Sequence, residues 1–284
     1  MRFLVLGASG MAGHTIALFL REKGHEVTGF DMRQVPFVPC IVGDARDERL
    51  LRETASRGYD IICNCVGILN TRCDEQPQLA EALNARLPHV LASITEGTPT
   101  RVFHMSTDCV FAGNTGPYTE GSMPDGMSLY DRTKAAGELR DTKNLTFRNS
   151  LVGPDLNPDG IGLFNWFMKQ QNEVKGFTGA IWTGLTTLEL AKAMEHEARE
   201  DVAGLVNMVP GSISKYDLLR LFNKHFRNNA VSIVPDGKLQ LDKALVRTNF
   251  KPTFVPSDYE RQIAELADWA RTHAWLYPHY RLEV

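Results

Sequence analysis

The sequence predicts an α/β protein built on a doubly wound parallel sheet, followed by a smaller C-terminal α/β region. Through the first 150 residues, short apolar runs alternate with amphipathic stretches, which is typical of parallel strands joined by crossover helices. A glycine-rich turn follows the first apolar run. After Arg148 the alternation weakens and Gly, Pro and Asp interrupt the chain. We therefore predict one domain over 1–150, completed by parts of 178–200, and a second region over 151–284.

The individual elements follow from the hydrophobic pattern. Short apolar runs predict strands over 3–6, 26–30, 61–65, 101–105 and 145–148. Apolar residues at helical spacing predict helices over 11–23, 48–57, 79–95, 216–226 and 259–273. Ser214 stands three residues before Asp217, so its hydroxyl is expected to cap the start of the fourth of these helices.

Composition and charge exclude several classes of protein. The 284 residues carry a formal net charge of -3, with 43% hydrophobic and 23% charged residues, so no nucleic-acid partner is expected. No apolar run approaches the ~20 residues of a membrane span, and the first apolar run is too short for a signal peptide. We therefore predict a cytoplasmic protein with no membrane partner. The 5 cysteines are expected to be reduced, and the 8 histidines show no spacing typical of a metal site, so no metal is predicted.

The first predicted strand ends in the turn Gly7-Ala8-Ser9-Gly10-Met11-Ala12-Gly13. Glycines at these spacings let backbone amides and a helix N-terminus approach a pyrophosphate. A strand precedes the turn, a helix follows it, and Asp31 ends the next strand, as in a Rossmann-type dinucleotide site. The candidate contacts in this turn are Gly7, Ser9, Gly10, Met11 and Gly13.

Two residues bear on the choice between NAD and NADP. Asp31 would accept hydrogen bonds from the hydroxyls of the adenosine ribose and repel a 2′-phosphate, which favours NAD. Arg33 could instead bind that phosphate, although it could equally be a solvated loop cation. Both cofactors therefore remain open.

A tyrosine and a lysine form the most informative pair in the chain. Tyr130 and Lys134 are four residues apart, so on a helix they share a face. A free tyrosine has a pKa near ~10, and a close cation is expected to lower it toward a useful value. Ser106 and Thr107 supply hydroxyls at the end of a predicted strand. Behind a dinucleotide turn, such a set is suited to moving a hydride and a proton at a carbonyl.

Six motifs then resemble one known family over nearly the whole chain. They are the turn from Gly7 to Gly13, Asn64-Cys65-Val66-Gly67, Ser106-Thr107-Asp108-Cys109-Val110-Phe111, Pro117-Tyr118-Thr119-Glu120, Tyr130 to Lys134 with Gly137-Glu138, and Phe147-Arg148-Asn149-Ser150. In order and spacing the chain resembles the extended short-chain dehydrogenase/reductases, and within them the dTDP-4-dehydrorhamnose reductase-like branch.

This resemblance implies a role for each matching residue. Tyr130 would donate a proton to the substrate carbonyl, Lys134 would hold the nicotinamide ribose and lower the tyrosine pKa, and Thr107 would hydrogen-bond the sugar oxygen. Ser106 is the second candidate for the last role. The remaining cofactor contacts that the resemblance implies are Asp44 and Ala45 near the adenine, and Cys65, Val66 and Gly67 at a strand end against the cofactor.

The same resemblance indicates the reaction. Dehydratases of this superfamily follow the hydroxyl residue with an Asp-Glu pair, whereas this chain has Asp108 and then Cys109. We therefore expect reduction of a 4-keto group on a deoxysugar nucleotide by NADPH or NADH. A sugar-nucleotide epimerase and a non-catalytic dinucleotide-binding regulatory subunit remain as alternatives, and a homodimer remains open.

The substrate side is predicted less directly. The reductase branch commonly has an aromatic residue at the position of Cys109 and a tryptophan at that of Leu151, so the sugar pocket is expected to be reshaped, for instance for an N-acetyl group. Arg247 is considered because a pyrophosphate needs cationic partners, against its ordinary interpretation as a surface arginine. The full set of candidates is Ser106, Thr107, Asp108, Cys109, Asn149, Asn165, Lys169, Trp182 and Arg247.

Overall fold

The computed structural model describes residues 1–282 and contains a seven-stranded, entirely parallel sheet in the order β10-β6-β5-β4-β1-β2-β3. This confirms the predicted doubly wound sheet. Its strands are β1 (Arg2–Leu6), β2 (Glu26–Asp31), β3 (Cys40–Val42), β4 (Ile61–Asn64), β5 (Arg101–Ser106), β6 (Leu145–Arg148) and β10 (Gly204–Asn207).

Helices cover both faces of this sheet. The helices of residues 1–282 are α1 (Met11–Glu22), α2 (Glu48–Ala55), α3 (Thr71–Glu75), α4 (Pro77–Ala80), α5 (Leu87–Ile94), α6 (Leu129–Ala136), α7 (Leu163–Met168), α8 (Thr187–Glu197), α9 (Lys215–Arg227) and α10 (Tyr259–Thr272). Of these, α7 and α10 pack on α9 in the second region. None of the helices in residues 1–282 is long and apolar enough to cross a membrane.

The sheet reverses its strand order between β1 and β4, which are neighbours although they lie far apart in the chain. Leu6 pairs with Asn64, so the turn after β1 and the segment after β4 leave the sheet side by side. Ligands of doubly wound sheets bind at such a switch point, outside the carboxyl ends of the strands. The fold therefore brings Gly7 and Cys65 to the same edge.

Two small sheets build the second region. A three-stranded sheet has the order β11-β8-β12, with β8 (Glu173–Trp182) between β11 (Ile213–Ser214) and β12 (Ser232–Asp242). A two-stranded sheet pairs β7 (Ser150–Val152) with β9 (Gly184–Thr186). The chain also returns to the large sheet here, since α8 packs on α1 and β10 pairs with β6.

The predicted helix over 79–95 is interrupted, which is a correction. Glu81–Arg86 forms a π-helical turn between α4 and α5. Asn84, inside this turn, is buried, and its side-chain amide bonds both backbone polar atoms of Ile68. Its Oδ1 accepts from Ile68 N at 3.0 Å and its Nδ2 donates to Ile68 O at 3.0 Å. Apolar periodicity carries no information about that side chain.

The predicted start of α9 is confirmed. Ser214 has extended backbone angles and its Oγ accepts a 3.0 Å hydrogen bond from the backbone amide of Asp217. Leu218, Leu219 and Phe222 then lie on the buried face of the helix. The amphipathic pattern thus packs α9 against β8 and α10.

Candidate active site

The turn after β1 leaves room for a phosphate group at the start of α1. Gly7 has a φ of 76°, and a Cβ on Gly13 would overlap the carbonyl oxygen of Gly7. Gly10 precedes α1 and no side chain caps its first turn, so the first backbone amides have no partner within the helix. The helix dipole adds to these donors. The turn fits a dinucleotide pyrophosphate, which the amides around Gly10 and Met11 would hold.

Asp31 lies at the end of β2, beside this turn. Its carboxylate accepts hydrogen bonds from the backbone amide of Ser9 at 2.8 Å and from that of Arg33 at 3.3 Å. The guanidinium of Arg33 is exposed and has no partner among residues 1–282. Asp31 therefore shapes the turn through Ser9, while Arg33 is available to an anion from outside.

The segment after β4 connects the glycine turn to the predicted catalytic residues. A Cβ on Gly7 would lie 3.1 Å from the carbonyl carbon and oxygen of Cys65 and 3.2 Å from the amide nitrogen of Val66. Burial raises the pKa of the Cys65 thiol to about 12, and the charge of Lys134 opposes that rise. Gly67 follows, and a Cβ on this residue would lie only 3.0 Å from Asn84 Oδ1. The segment 65–67, which holds the predicted cofactor contacts after β4, therefore begins beside the glycine turn, and its first residue, Cys65, is also near Lys134.

Helix α6 presents the tyrosine and the lysine together. Ser128 and Asp131 form a reciprocal capping box that fixes the start of the helix. Tyr130 and Lys134 are both buried, at 9% and 7% exposure. The Lys134 ammonium donates a 2.6 Å hydrogen bond to the carbonyl oxygen of Met105, at the end of β5. Helix α6 is therefore tied to the same sheet edge.

The expected lowering of the tyrosine pKa is wrong for this structure. Burial raises the pKa of Tyr130 and the nearby Cys109 thiol adds to the rise, while a hydrogen bond with Thr107 opposes it. Burial also lowers the pKa of Lys134 to about 8, although the Glu138 carboxylate opposes this. The physical reason is that both groups lie in a dry site, where every charged form is disfavoured. Tyr130 therefore carries its proton at neutral pH.

The hydroxyl of Thr107 lies in a small polar network. It donates a 3.1 Å hydrogen bond to Asp108 Oδ1 and accepts one of 3.1 Å from the backbone amide of Cys109. Burial raises the pKa of Asp108, which a hydrogen bond from Ser150 and the charges of Lys243 and Lys215 partly offset. Burial raises the pKa of the Cys109 thiol to about 12.

Ser106, the second candidate for the substrate hydroxyl, is committed elsewhere. Its Oγ donates a 2.7 Å hydrogen bond to Glu138, whose carboxylate also accepts from Arg148 Nε at 2.7 Å and Nη2 at 2.6 Å. Glu138 and Arg148 are both buried, and the Arg148 guanidinium lies over the Phe111 ring at 5.0 Å. Thr107 is therefore the hydroxyl that faces Tyr130.

The buried pair of Glu138 and Arg148 was not assigned a role from the sequence, and neither was Asn84. Both members of the pair fall in motifs that carry the resemblance, Gly137-Glu138 and Phe147-Arg148. These motifs were the sequence signal that could have identified the pair. The pair ties α6 to the end of β6, and Asn84 Nδ2 donates to Thr133 Oγ1 at 3.3 Å. These residues hold α6 in place behind the site.

Asp44 and Ala45 follow β3. Asp44 accepts a 3.0 Å hydrogen bond from Arg46 Nε, and this hydrogen bond is the main cause that lowers the pKa of its carboxyl. Ala45 is buried in the core beneath β1 and β2. Their contact with an adenine stays a prediction.

Asn165 and Trp182 are both held by neighbouring residues, and their contact with the substrate stays a prediction. Asn165 is 1% exposed; its Nδ2 donates to Gly160 O at 2.5 Å and its Oδ1 accepts from Tyr280 OH at 2.8 Å. Trp182 is buried against the Tyr259 ring, with centroids 5.4 Å apart. Both side chains are used in packing the second region.

Arg247 is likewise bonded to its own surroundings. Its guanidinium donates to three backbone carbonyls, those of Asn249 at 3.0 Å, Phe254 at 2.7 Å and Pro252. It therefore fastens its own loop and has little donor capacity left for a phosphate. Its contact with the substrate diphosphate stays a prediction.

Two other substrate candidates stay predictions. Asn149 is buried at the end of β6 and donates a 2.8 Å hydrogen bond to Ser150 O. Lys169 is exposed after α7, with no hydrogen bond or ion pair among the described residues. Within residues 1–282, no group of three or more His, Cys, Asp or Glu side chains could hold a metal ion.

Comparison with known proteins identifies a family for this chain. The family model described as RmlD substrate binding domain matches residues 1–150. The chain is 34% identical over 143 residues to the probable low-salt glycan biosynthesis reductase Agl14 of Haloferax volcanii, covering 49% of this chain and 48% of that protein. It is 26% identical over 246 residues to the dTDP-4-dehydrorhamnose reductase of Escherichia coli K12, covering 82% of this chain and 81% of that protein.

Coverage limits what these matches say. The chain spans 40–48% of the length of four curated relatives, the Haloferax protein included. A solved structure of dTDP-4-dehydrorhamnose reductase from Bacillus anthracis, in complex with NADP, superposes with a TM-score of 0.77 at 18% identity, over 93% of this chain and 98% of that one. At this identity the superposition shows the fold alone.

Proposed function

The chain belongs to the RmlD substrate binding domain family, and from that premise we propose that it reduces the 4-keto group of a deoxysugar nucleotide with NADPH or NADH. The match supports the resemblance to the dTDP-4-dehydrorhamnose reductase-like branch. The general activity in this proposal is that of a sugar-nucleotide oxidoreductase, and the specific target is the 4-keto group.

One observation carries the proposal. The glycine turn after β1, the segment after β4 and the buried face of α6 meet at one sheet edge, so Gly7, Lys134 and Tyr130 surround the same space. A binding module needs the turn, but it does not need a buried phenol beside a buried ammonium. This conjunction favours an enzyme over a regulatory subunit.

The residues have complementary tasks in a reduction. The reduced nicotinamide cofactor supplies a hydride when it is bound. Tyr130 begins in its protonated form, because burial raises its pKa, and so it can give its proton to the carbonyl oxygen. Thr107 holds that oxygen by a hydrogen bond, and the positive charge of Lys134 stabilises the phenolate that remains.

The residues beside Thr107 support reduction over dehydration. Loss of water from the sugar would need a base and an acid at these positions. Burial raises the pKa of Asp108, which suits an acid, but Cys109 keeps its proton, since burial raises its pKa to about 12, and so it cannot serve as the base. A reduction needs only the proton of Tyr130.

We propose either NADP or NAD as the cofactor. Asp31 stands where it would bind ribose hydroxyls, and the exposed Arg33 stands two residues away, where it could meet a 2′-phosphate. The structure of the Bacillus anthracis relative holds NADP. A competition experiment between NADPH and NADH would show which cofactor the chain binds more tightly.

The first test is an assay of NADPH and NADH oxidation with dTDP-, UDP- and GDP-linked 4-keto sugars. We expect turnover with one nucleotide class, and a Tyr130→Phe variant should lose at least about a hundredfold in kcat, the usual share of acid catalysis, while still binding cofactor. Tyr59→Phe is the control, since Tyr59 is buried at 4% exposure away from this edge.

Three results would contradict parts of the proposal. Near-normal reduction by Tyr130→Phe would remove the tyrosine from the mechanism. Purified protein that retains a nicotinamide cofactor, interconverts sugar epimers and oxidises no added NADPH would be an epimerase. Cofactor binding without turnover on any substrate would support the regulatory subunit.

A further inference from the structure

The loop between β7 and α7, residues 153–162, ends against the glycine turn. A Cβ on Gly162 would lie 3.4 Å from the sulfur of Met11, the first residue of α1. The backbone amides of this first helical turn have no partner within the helix and would hold the cofactor pyrophosphate. The end of the loop 153–162 therefore lies beside the expected place of that pyrophosphate.

Asn165 holds the middle of this loop from below. Residues 157–159 are exposed and belong to no helix or strand. Asn165, on α7, is 1% exposed, and its Nδ2 donates to Pro158 O at 3.1 Å and to Gly160 O at 2.5 Å. A side-chain amide nitrogen has two hydrogens to donate, so these two carbonyls can use both. One buried side chain thus fixes the loop just before it reaches Gly162.

Tyr280 completes this contact from the C-terminal segment. Its hydroxyl donates to Asn165 Oδ1 at 2.8 Å and accepts from the backbone amide of Asp155 at 3.0 Å. Its ring packs edge-on against Phe164, with centroids 5.5 Å apart, so the hydroxyl has a fixed position. Asn165 and Tyr280 therefore form one hydrogen-bonded unit that holds the loop at Asp155 and again at Gly160.

The same C-terminal segment contacts the glycine turn. Tyr277 precedes Tyr280 by three residues, and its hydroxyl donates to His14 Nε2 at 2.7 Å. His14 Nδ1 in turn donates to Gly10 O at 2.8 Å. The loop 153–162 and the glycine turn are thus both bonded to one short stretch of chain, which fixes their separation.

We propose that Asn165 and Tyr280 are positioning residues that hold the loop 153–162 against the bound cofactor at the start of α1. This inference rests on the proposed function and extends its cofactor site. Ile161, the residue before Gly162, is apolar and yet 61% exposed, so it offers apolar surface for the cofactor to cover. A loop already held in place loses little freedom when the cofactor binds, so these hydrogen bonds raise the affinity.

The test measures the Kd of NADPH, NADH, ADP-ribose, dTDP and UDP for the full chain by calorimetry. Three loop variants are compared with wild type, namely Asn165→Ala, Tyr280→Phe and Ile161→Ser. We expect each to raise the Kd of the tighter dinucleotide, by about tenfold for Asn165→Ala if the loop is then in place in about a tenth of the molecules. ADP-ribose contains the pyrophosphate and should be weakened to the same degree. The Kd of dTDP and UDP, and kcat at saturating cofactor, should not change.

A matched control separates positioning from stability. Asn223 of α9 is also buried, and its side-chain amide bonds both backbone polar atoms of Val231, at 2.7 and 3.1 Å. Asn223→Ala should lower the temperature of thermal unfolding as Asn165→Ala does, but leave the cofactor Kd unchanged. Ile161→Ser alters an exposed side chain and should leave thermal unfolding unchanged, so it decides the question even if Asn165→Ala does not fold. An unchanged cofactor Kd in Ile161→Ser would then overturn the proposal.

The outcomes separate this inference from the proposed function. A raised cofactor Kd in the three loop variants but not in Asn223→Ala supports the inference, and absence of turnover on every 4-keto sugar would then count against the reductase alone. Turnover with an unchanged cofactor Kd and KM in the loop variants would overturn the inference and leave the reductase intact. An equal loss of cofactor affinity in Asn223→Ala would overturn it, as would weaker binding of dTDP or UDP with a normal cofactor Kd.

Discussion

Lys134 is a buried cation that reduces the stability of the fold. Its ammonium is buried and has one hydrogen-bond partner, the carbonyl of Met105. Burial lowers its pKa to about 8, so the folded protein holds this proton less tightly than the unfolded chain does. Carrying the charge at neutral pH therefore costs folding free energy.

We predict that Lys134→Met is at least as stable as wild type at pH 7 and no longer binds NADPH well. Between pH 8 and about 10.4 the unfolded wild-type chain keeps a proton on this lysine that the folded protein has lost, so Lys134 makes stability rise with pH in that window. The difference between variant and wild type should change there by up to about 3 kcal/mol.

Urea unfolding of both proteins at pH 7, 8, 9 and 10 measures that difference. Taking the difference removes the contributions of other groups that titrate in the same range. A variant that is clearly less stable at pH 7, with no change in the difference from pH 8 to 10, would mean that Lys134 is not a strained cation.

At the residue scale the sequence predicted which side chains meet, but not their protonation. The spacing of Tyr130 and Lys134 fixed their common helix face, and the structure has both buried on it. Their pKa values depend on how little water reaches them, which is set by the segments around Cys65, Cys73 and Cys109. Those segments are distant in sequence, so the spacing could not reveal a dry site.

At the scale of elements, strong local signals were sufficient where they existed. The hydroxyl of Ser214 caps α9 as its position relative to Asp217 predicted. The π-helical turn in Glu81–Arg86 had no such signal, because it depends on the contact of Asn84 with Ile68. Likewise β10 is a short strand whose place beside β6 is decided by the sheet, not by its own four residues.

We predict that Ser214→Ala lowers the free energy of unfolding by about 1 kcal/mol, because the amide of Asp217 loses its acceptor. Ser212→Ala is the control, since Ser212 is an exposed residue just before β11 and outside the cap. Chemical denaturation of the two variants measures the effect. Equal stability of Ser214→Ala and Ser212→Ala would show that the cap contributes nothing.

At the scale of the whole molecule, a buried histidine connects the glycine turn to the C-terminal segment. His14 of α1 is 0% exposed; its Nδ1 donates to Gly10 O at 2.8 Å and its Nε2 accepts from Tyr277 OH at 2.7 Å. Burial lowers the pKa of His14 to about 4. Tyr280, in the same segment, holds Asn165 through its hydroxyl.

We predict that this histidine makes the protein sensitive to acid. From pH 6.5 down to about 4 the unfolded chain binds a proton at His14 that the folded protein does not, so this contribution to stability falls as the pH falls. The loss is at most about 1.4 kcal/mol per pH unit for one such group. A His14→Gln variant should show a smaller loss of stability than wild type between pH 7 and pH 4.5 in urea unfolding.

His196→Gln provides the control, because that histidine is half-buried and its Nε2 bonds Thr253 Oγ1, not the glycine turn. Identical pH slopes for His14→Gln and wild type would mean that acid acts elsewhere, for example on His104, whose pKa burial also lowers.

The bond between His14 and Tyr277 joins residues 263 positions apart. On the ribosome, the glycine turn is therefore made among the first residues and receives its support among the last of the 282 described. The strands β1, β2, β4, β5 and β6 can pair long before that, but His14 Nε2 lacks its Tyr277 partner until that residue has left the exit tunnel. A ribosome stalled before that codon would therefore hold a sheet whose glycine-rich turn still lacks this contact.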